Sequence, residues 1–328
     1  MSHRACSDLM GGAFGLELPL CDCFPHPESP CCAYVDSGRA ALQLLLQALP
    51  QRPRRVWVPR FACDTLLQPL RRLRLPVCRY EIAEEDLSPL LPDEAGEDDA
   101  AVFINYFGLA GAAWQQAVAD FPGAALADAT TALYAPPLPQ AAGSFYSPRK
   151  FGGLCDGGVA VAPYPLALPT RTDRSSTAAR ALLLRTESGA AAALPATERA
   201  EARLNREPRR MSPLSRRLLR SIDWAAAARR RCANYRVLHA ALRELNRLCL
   251  PEEPPSAPQC YPLVTAIPDL RDSLVDAGVA LPLYWPEVIA DSEASDSANR
   301  LARRLLPLPL DQRYDTHDME RLLHLIRG

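Results

Sequence analysis

The sequence SFYSPRKFGGLCDGGVAV, residues 144–161, places a lysine directly after a β-rich run and ahead of two glycine pairs. Lys150 is the only lysine among the 37 Lys and Arg residues of the chain. An arginine cannot replace it as a nucleophile, because a guanidinium stays protonated at ordinary pH. Dense glycines let the backbone approach a ligand closely. The segment therefore predicts a reactive amine at the end of a strand, where α/β sheets place their sites; a surface lysine in a loop is the alternative.

Short β-rich runs alternate with helical patterns on both sides of this segment. Such alternation predicts an α/β fold, with a mostly parallel sheet covered by helices on both faces. The predicted strands are 54–59, 76–82, 101–107, 124–130, 143–147 and 158–163, and the helices between them are 37–49, 63–73 and 111–121.

The second half of the chain has a different pattern. Residues 165–211 have weak strand patterns and are expected to form helices and loops over the sheet. A long helix is predicted from Ser212 to about Leu248, with Ser212 as N-cap and Pro213 in its first turn. A smaller α+β lobe follows. We therefore predict two domains: a large one at 1–211, and the long helix with a small lobe at 212–328.

Asp128 ends an apolar strand, AALADAT, where a buried carboxylate is costly without a partner. Beside a lysine one strand further along the chain, it suits the protonated ring nitrogen of pyridoxal phosphate (PLP), whose aldehyde Lys150 would hold as a Schiff base. A helix N-cap is the alternative role for Asp128.

Residues 37–39, Ser-Gly-Arg, open an amphipathic helix. The free N–H groups of a helix N-terminus suit a phosphate dianion, and Arg39 would add positive charge. Ser37, Gly38 and Arg39 are thus candidate phosphate ligands, although an ordinary helix cap has the same pattern.

Several motifs in this order resemble the DegT/DnrJ/StrS family of PLP-dependent sugar aminotransferases. They are GGAFGLELP (11–19), SGRAAL (37–42), VWVPRFACDT (56–65), ADATTA (127–132), the lysine segment, ALPLYWP (280–286) and LPLPLDQRY (306–314). The resemblance implies a fold-type-I PLP fold with a seven-stranded mixed sheet, a smaller C-terminal α+β lobe, and a homodimer with active sites at the interface. It also implies that Lys150 carries PLP, that Asp128 holds the pyridinium, and that residues 37–39 face the phosphate.

The chain departs from the family pattern at several cofactor positions. Thr131 stands where the family usually has Gln, and Cys63 lies near the position of a stacking aromatic, which leaves Phe61 as a possible substitute. Ser144 and Ser147 compete as the phosphate-binding serine before the lysine.

The function expected from this resemblance is transfer of an amino group from an amino acid, with glutamate the expected donor, to a keto-sugar or related carbonyl. Arg313 is a candidate for holding a substrate carboxylate, because an arginine fork matches that geometry. A PLP enzyme catalysing dehydration or another elimination is one alternative. A catalytically silent PLP-fold protein with a binding or regulatory role is another.

Composition narrows the partners. The net charge is −1 without a concentrated basic stretch, so neither nucleic acid nor an anionic membrane is expected as a partner. No apolar run reaches the ~20 residues of a membrane span, and the first residues lack a signal-peptide pattern, so a cytoplasmic location is expected. Cys21, Cys23, Cys31 and Cys32 lack the spacing of zinc ligands, and no metal site is predicted.

Overall fold

The structure, a computed structural model, describes residues 15–291 and 296–328. Ten strands are assigned within these residues: β1 (Cys32–Val35), β2 (Val56–Pro59), β3 (Val77–Ile82), β4 (Pro89–Leu90), β5 (Ala100–Ile104), β6 (Ala124–Ala129), β7 (Gly143–Tyr146), β8 (Gly158–Val161), β9 (Tyr261–Leu263) and β10 (Leu306–Leu308). Eight of them form one sheet in the order β1-β8-β7-β6-β5-β2-β3-β4.

The sheet is mostly parallel. Strands β7, β6, β5, β2 and β3 run parallel to their neighbours in that order, whereas β8 and β4 pair antiparallel. All five residues of β5 and all but the first of β6 are buried, as expected for strands covered on both faces. The α/β class and the six predicted strands are confirmed. The sheet has eight strands instead of seven, because the two-residue β4 pairs with the edge strand β3.

The helices among the described residues are α1 (Gly38–Ala48), α2 (Leu67–Arg72), α3 (Ala112–Asp120), α4 (Ala179–Ala202), α5 (Pro213–Leu219), α6 (Trp224–Leu242), α7 (Leu270–Asp276), α8 (Pro286–Asp291), α9 (Ser297–Arg304) and α10 (Thr316–Arg327). The three helices predicted between the early strands correspond to α1, α2 and α3. None of the described helices combines the length and the apolar character that crossing a lipid bilayer requires.

The single long helix predicted after Ser212 is wrong, because two helices occupy this region. Ser212 does cap α5, accepting a hydrogen bond from the Ser215 amide at 3.1 Å. The chain then turns and restarts as α6, where the Asp223 carboxylate accepts from the Ala226 amide at 2.8 Å. The turn buries Trp224, whose indole donates to the carbonyl of Leu219 at 2.8 Å. Burial of one large aromatic therefore outweighs the helical periodicity.

The C-terminal lobe contains the antiparallel pair β9–β10 and helices α7 to α10. Residues 306–308 of the motif LPLPLDQRY form a strand, whereas residues 280–284 of the motif ALPLYWP form a loop. One hydrophobic cluster runs from the sheet into this lobe, so the division at residues 211 and 212 stays a prediction. Of the motif at 11–19, residues 11–14 lie outside the described part of the chain.

Candidate functional site

A cavity of about 550 Å³ lies at the carboxyl ends of the central parallel strands. These ends meet at one edge of the sheet, where α/β folds usually bind ligands. The lining residues are Ser37, Gly38, Arg39, Leu42, Cys63, Thr65, Leu66, Ile104, Asp128, Thr130, Thr131, Phe145, Ser147, Arg149, Lys150, Thr197, Glu201, Tyr284 and Trp285. The cavity therefore brings together the residues that the sequence singled out, except Phe61, Ser144 and Arg313.

Lys150 ends a short 3-10 turn, Pro148–Lys150, directly after β7. Its Nζ donates a hydrogen bond to Thr130 Oγ1 at 3.1 Å, and the side chain is open to the cavity. Desolvation by the surrounding protein lowers the pKa of Lys150, Arg149 lowers it further, and Asp128 and Cys63 oppose the shift. A lowered pKa raises the share of free amine, the form that attacks a carbonyl.

Asp128 lies on β6 and is 5% exposed. The Thr130 amide donates to one of its carboxylate oxygens at 2.8 Å, and turns, instead of a helix, follow it. Burial raises the pKa of Asp128, whereas Lys150 and the hydrogen bonds from Thr130 lower it. The side chain is therefore a buried carboxyl that faces the cavity and not a helix cap.

The turn at residues 37–39 depends on two glycines. Ser37 caps α1 by accepting from the Ala40 amide at 3.2 Å, so its hydroxyl has the structural role considered above. A Cβ on Gly158 would lie 2.1 Å from the Ser37 carbonyl oxygen, and one on Gly38 would lie 3.1 Å from Thr130 Cγ2. The glycines let the start of α1 lie directly against β8 and the lysine segment.

Two arginines face each other across this part of the cavity. Arg39, on α1, also donates to Gln68 at 3.0 Å. Burial lowers the pKa of Arg149 to about 10, and the positive charge of Arg39 contributes to the shift. The Glu201 carboxylate on α4 lies between them, paired with Arg39 at 3.2 Å and with Arg149. The two arginines thus bind an anion, which in this structure is the Glu201 carboxylate.

The two serines before the lysine are separated by strand alternation. Ser147 lines the cavity, and its side chain caps no backbone group of the turn that it precedes. Ser144 is three residues earlier, on the opposite face of β7 from Phe145 and Ser147. It is buried outside the cavity, so the prediction that Ser144 contributes to the site is not supported by the geometry.

Two other sequence candidates line the cavity with engaged side chains. The Thr131 hydroxyl donates to the Asn105 carbonyl at 2.9 Å and accepts from the Phe107 amide at 3.2 Å. The Cys63 thiol lies 3.0 Å from the Thr65 hydroxyl. Thr131 therefore fixes the backbone after β5 and leaves the nearer hydroxyl, that of Thr130, to contact Lys150.

Sequence reasoning missed the aromatic wall. Tyr284 and Trp285 line the cavity from the loop before α8. Trp285 packs on Phe61, with ring centroids 4.4 Å apart, whereas Phe61 itself is fully buried and does not reach the cavity. Tyr284 and Trp285 both belong to the motif ALPLYWP, more than 200 residues along the chain from Phe61, and the motif alone does not indicate that they line this cavity. Thr130 and Glu201 were missed as well, although ADATTA contains Thr130.

Arg313 lies outside this cavity, in an adjoining one of about 450 Å³ that shares Arg149, Lys150 and Glu201. Its guanidinium is largely exposed and pairs with Asp311 at 2.7 Å. Arg313 therefore lines the adjoining cavity and not the one that Asp128 lines.

Comparisons with known proteins agree with this geometry at the level of the fold. The sequence matches no family model, and no curated protein matches it either. Solved structures do match it. A sugar aminotransferase from Micromonospora echinospora superposes with a TM-score of 0.60, at 17% identity, over 91% of this chain and 87% of that one.

A DegT/DnrJ/EryC1/StrS aminotransferase from Brucella abortus gives a TM-score of 0.62 at 16% identity, over 90% of this chain and 85% of that one. The chain has the fold of these aminotransferases. NtdA from Bacillus subtilis, solved with its cofactor PMP bound, superposes with a TM-score of 0.58 at 14% identity, over 90% of this chain and 73% of that one. The resemblance drawn from the motifs is thus confirmed for the fold.

Among the described residues, no group of three or more His, Cys, Asp or Glu side chains is arranged to hold a metal ion.

Proposed function

We propose that this protein is a PLP-dependent aminotransferase that moves an amino group from an amino acid, with glutamate as the expected donor, to a keto-sugar or related carbonyl. The observation that carries the proposal is the cavity itself. One amine, one buried carboxyl and a pair of arginines line the same space, contributed by Lys150, Asp128, Arg39 and Arg149.

These residues fit PLP in charge and in kind. Lys150 offers an amine of lowered pKa for the aldehyde. Asp128 offers a buried carboxyl for the ring nitrogen. Arg39, Arg149 and the Ser147 hydroxyl surround the start of α1, where a phosphate dianion is stabilised. Tyr284 and Trp285 supply the aromatic surface that Cys63 does not.

When bound, PLP supplies an aldehyde for the amino group and a ring that accepts electron density. The chain's own residues do the rest. Asp128 keeps a proton on the ring nitrogen through its negative charge, and Thr130 orients the Lys150 amine, which carries protons within the cavity. The aromatic wall and the buried strand ends supply the apolar side of the cavity around the reacting atoms.

The comparisons support the cofactor and the reaction class. NtdA holds PMP, and the Micromonospora protein is a sugar aminotransferase; we extend the cofactor and the sugar acceptor to this chain. Active sites at a homodimer interface and a cytoplasmic location belong to the same proposal. The two-domain division at residues 211 and 212 does too.

The amino-transfer half-reaction tests the proposal. Purified protein mixed with PLP should gain a visible absorbance band, and borohydride should then fix the PLP mass on the peptide that contains Lys150. Glutamate added before borohydride should remove the band and prevent labelling. Lys150→Arg, which keeps the charge but not the nucleophile, is the control and should stay unlabelled. A wild-type protein that never labels would refute the proposal.

The engaged hydroxyl of Thr131 and the small side chain at Cys63 favour a second candidate, a PLP-binding protein without turnover. In that case PLP labels Lys150, but glutamate and other amino donors leave the labelling unchanged.

A further inference from the structure

The Glu201 carboxylate lies between Arg39 and Arg149, the two arginines proposed above as phosphate ligands. We propose that Glu201 competes with phosphate for these arginines: it pairs with both of them and has to leave when a phosphate monoester such as PLP binds. This inference rests on the proposed function for the identity of the ligand, but not for the competition itself.

The contacts of Glu201 use both carboxylate oxygens. Oε2 accepts from Arg39 Nη2 at 3.2 Å, and Oε1 pairs with Arg149 Nη2. The two guanidiniums are 14% and 19% exposed, and two buried cations this close need an anion between them. A phosphate dianion offers more charge and more acceptor oxygens than a carboxylate, so the phosphate should win when its ring and aldehyde also bind.

Glu201 can leave without unfolding its surroundings. Its side chain is 47% exposed, so rotation into solvent is cheap. Helix α4 buries only Ala181, Ala193 and Ala196, and its backbone is interrupted at Gly189, where φ is 85°. Directly beyond α4, Arg203 is anchored to Asp173 at 2.7 Å. The helix is therefore fixed at its C-terminal end and loosely packed along most of its length.

Competition of this kind has a specific consequence. Ligands that carry a phosphate have to displace Glu201, whereas ligands that lack one do not. Loss of the carboxylate should therefore strengthen the binding of phosphate-bearing ligands only, and ligand binding should loosen α4 instead of rigidifying it.

Equilibrium binding of PLP, pyridoxal and inorganic phosphate to wild type, Glu201→Gln and Glu201→Ala tests this. Glu198→Gln, on the exposed face of the same helix one turn away, is the matched control for a lost charge. We expect PLP and phosphate to bind both Glu201 variants about 10-fold more tightly than wild type. The affinity for pyridoxal should be unchanged in these variants, and Glu198→Gln should bind all three ligands as wild type does. In wild type, phosphate should increase amide hydrogen exchange along residues 179–202.

Equal phosphate affinity in wild type and both Glu201 variants would overturn the inference, as would the same gain in Glu198→Gln. The proposed function fails in a different way. If phosphate binds the Glu201 variants more tightly but borohydride never fixes PLP to Lys150 in any variant, the competition stands and the enzyme assignment falls.

Discussion

Strand β6 and helix α4 line the same cavity, but they are held in place by different means. All but the first residue of β6 are buried, and both neighbouring strands pair with it in register. Helix α4 has 24 residues and buries three of them. It contributes Thr197 and Glu201 to the cavity, and Glu201 is held there by ion pairs. One wall is part of the core, whereas the other lies on the surface and closes the site by charge.

This difference separates the fixed groups from the adjustable ones. Asp128 and the segment before Lys150 are held by hydrogen bonds of the sheet, so we expect their geometry to change little when a ligand binds. Glu201 depends on partially exposed ion pairs, which contribute little stability and are weakened by salt. A site with a rigid chemical wall and a displaceable electrostatic wall can bind an anionic cofactor and release it.

Asp128→Asn should have the largest effect. The amide cannot supply the negative charge that keeps the ring nitrogen protonated, so amino transfer from glutamate should slow by about 100-fold or more. Single-turnover absorbance measures the rate. PLP labelling of Lys150 should persist, and a variant with wild-type transfer would mean that Asp128 is not the ring partner.

Gly158→Ala tests how tightly the start of α1 is packed against the sheet. The new Cβ would meet the Ser37 carbonyl oxygen at 2.1 Å, and backbone cannot yield cheaply, so the free energy of unfolding should fall by about 3 kcal/mol. Gly153→Ala is the control, because its Cβ would meet nothing closer than 3.9 Å. Urea unfolding measures the loss of unfolding free energy in both variants. Similar losses in the two would contradict the packing argument.

The same truncation in the two walls compares them directly. Leu126, on β6, is fully buried, so Leu126→Ala should cost about 2–3 kcal/mol of unfolding free energy. Leu194, on α4, is 56% exposed, and Leu194→Ala should cost less than about 0.5 kcal/mol. Thermal or urea unfolding measures both. A large loss at Leu194 would show that α4 is a structural wall after all.

A pH dependence is expected at Asp36, just before the turn of residues 37–39. Burial raises its pKa from 3.8 to about 6, Arg206 opposes the shift, and Asp173 and Asp156 add to it. The folded protein therefore holds a proton between pH 3.8 and about 6 that the unfolded chain has released, so stability from this group falls as pH rises through that range. We expect up to about 3 kcal/mol across it.

Asp36→Asn should flatten this part of the curve of unfolding free energy against pH. An unchanged slope in the variant would assign the pH dependence to other groups.

Local pattern was sufficient for much of the fold and for part of the site. Alternating strands and helices predicted the α/β class. Because α/β sheets bind ligands at the carboxyl ends of their strands, Lys150 and Asp128 were expected at the same edge of the sheet. Pattern failed where distant residues compete for burial. Trp224 interrupts a helix that periodicity alone would continue. The Thr131 hydroxyl is engaged in a hydrogen bond to a backbone carbonyl and not with a ligand.

The sequence by itself determined which residue can act as an amine, because only one lysine exists. It also determined where two backbone segments can approach each other this closely, because only glycine lacks a Cβ. Only the tertiary structure decided what surrounds that amine. Trp285, Arg39 and Glu201 come from distant parts of the chain, and their meeting depends on packing and on the pairing of opposite charges, which no single segment encodes.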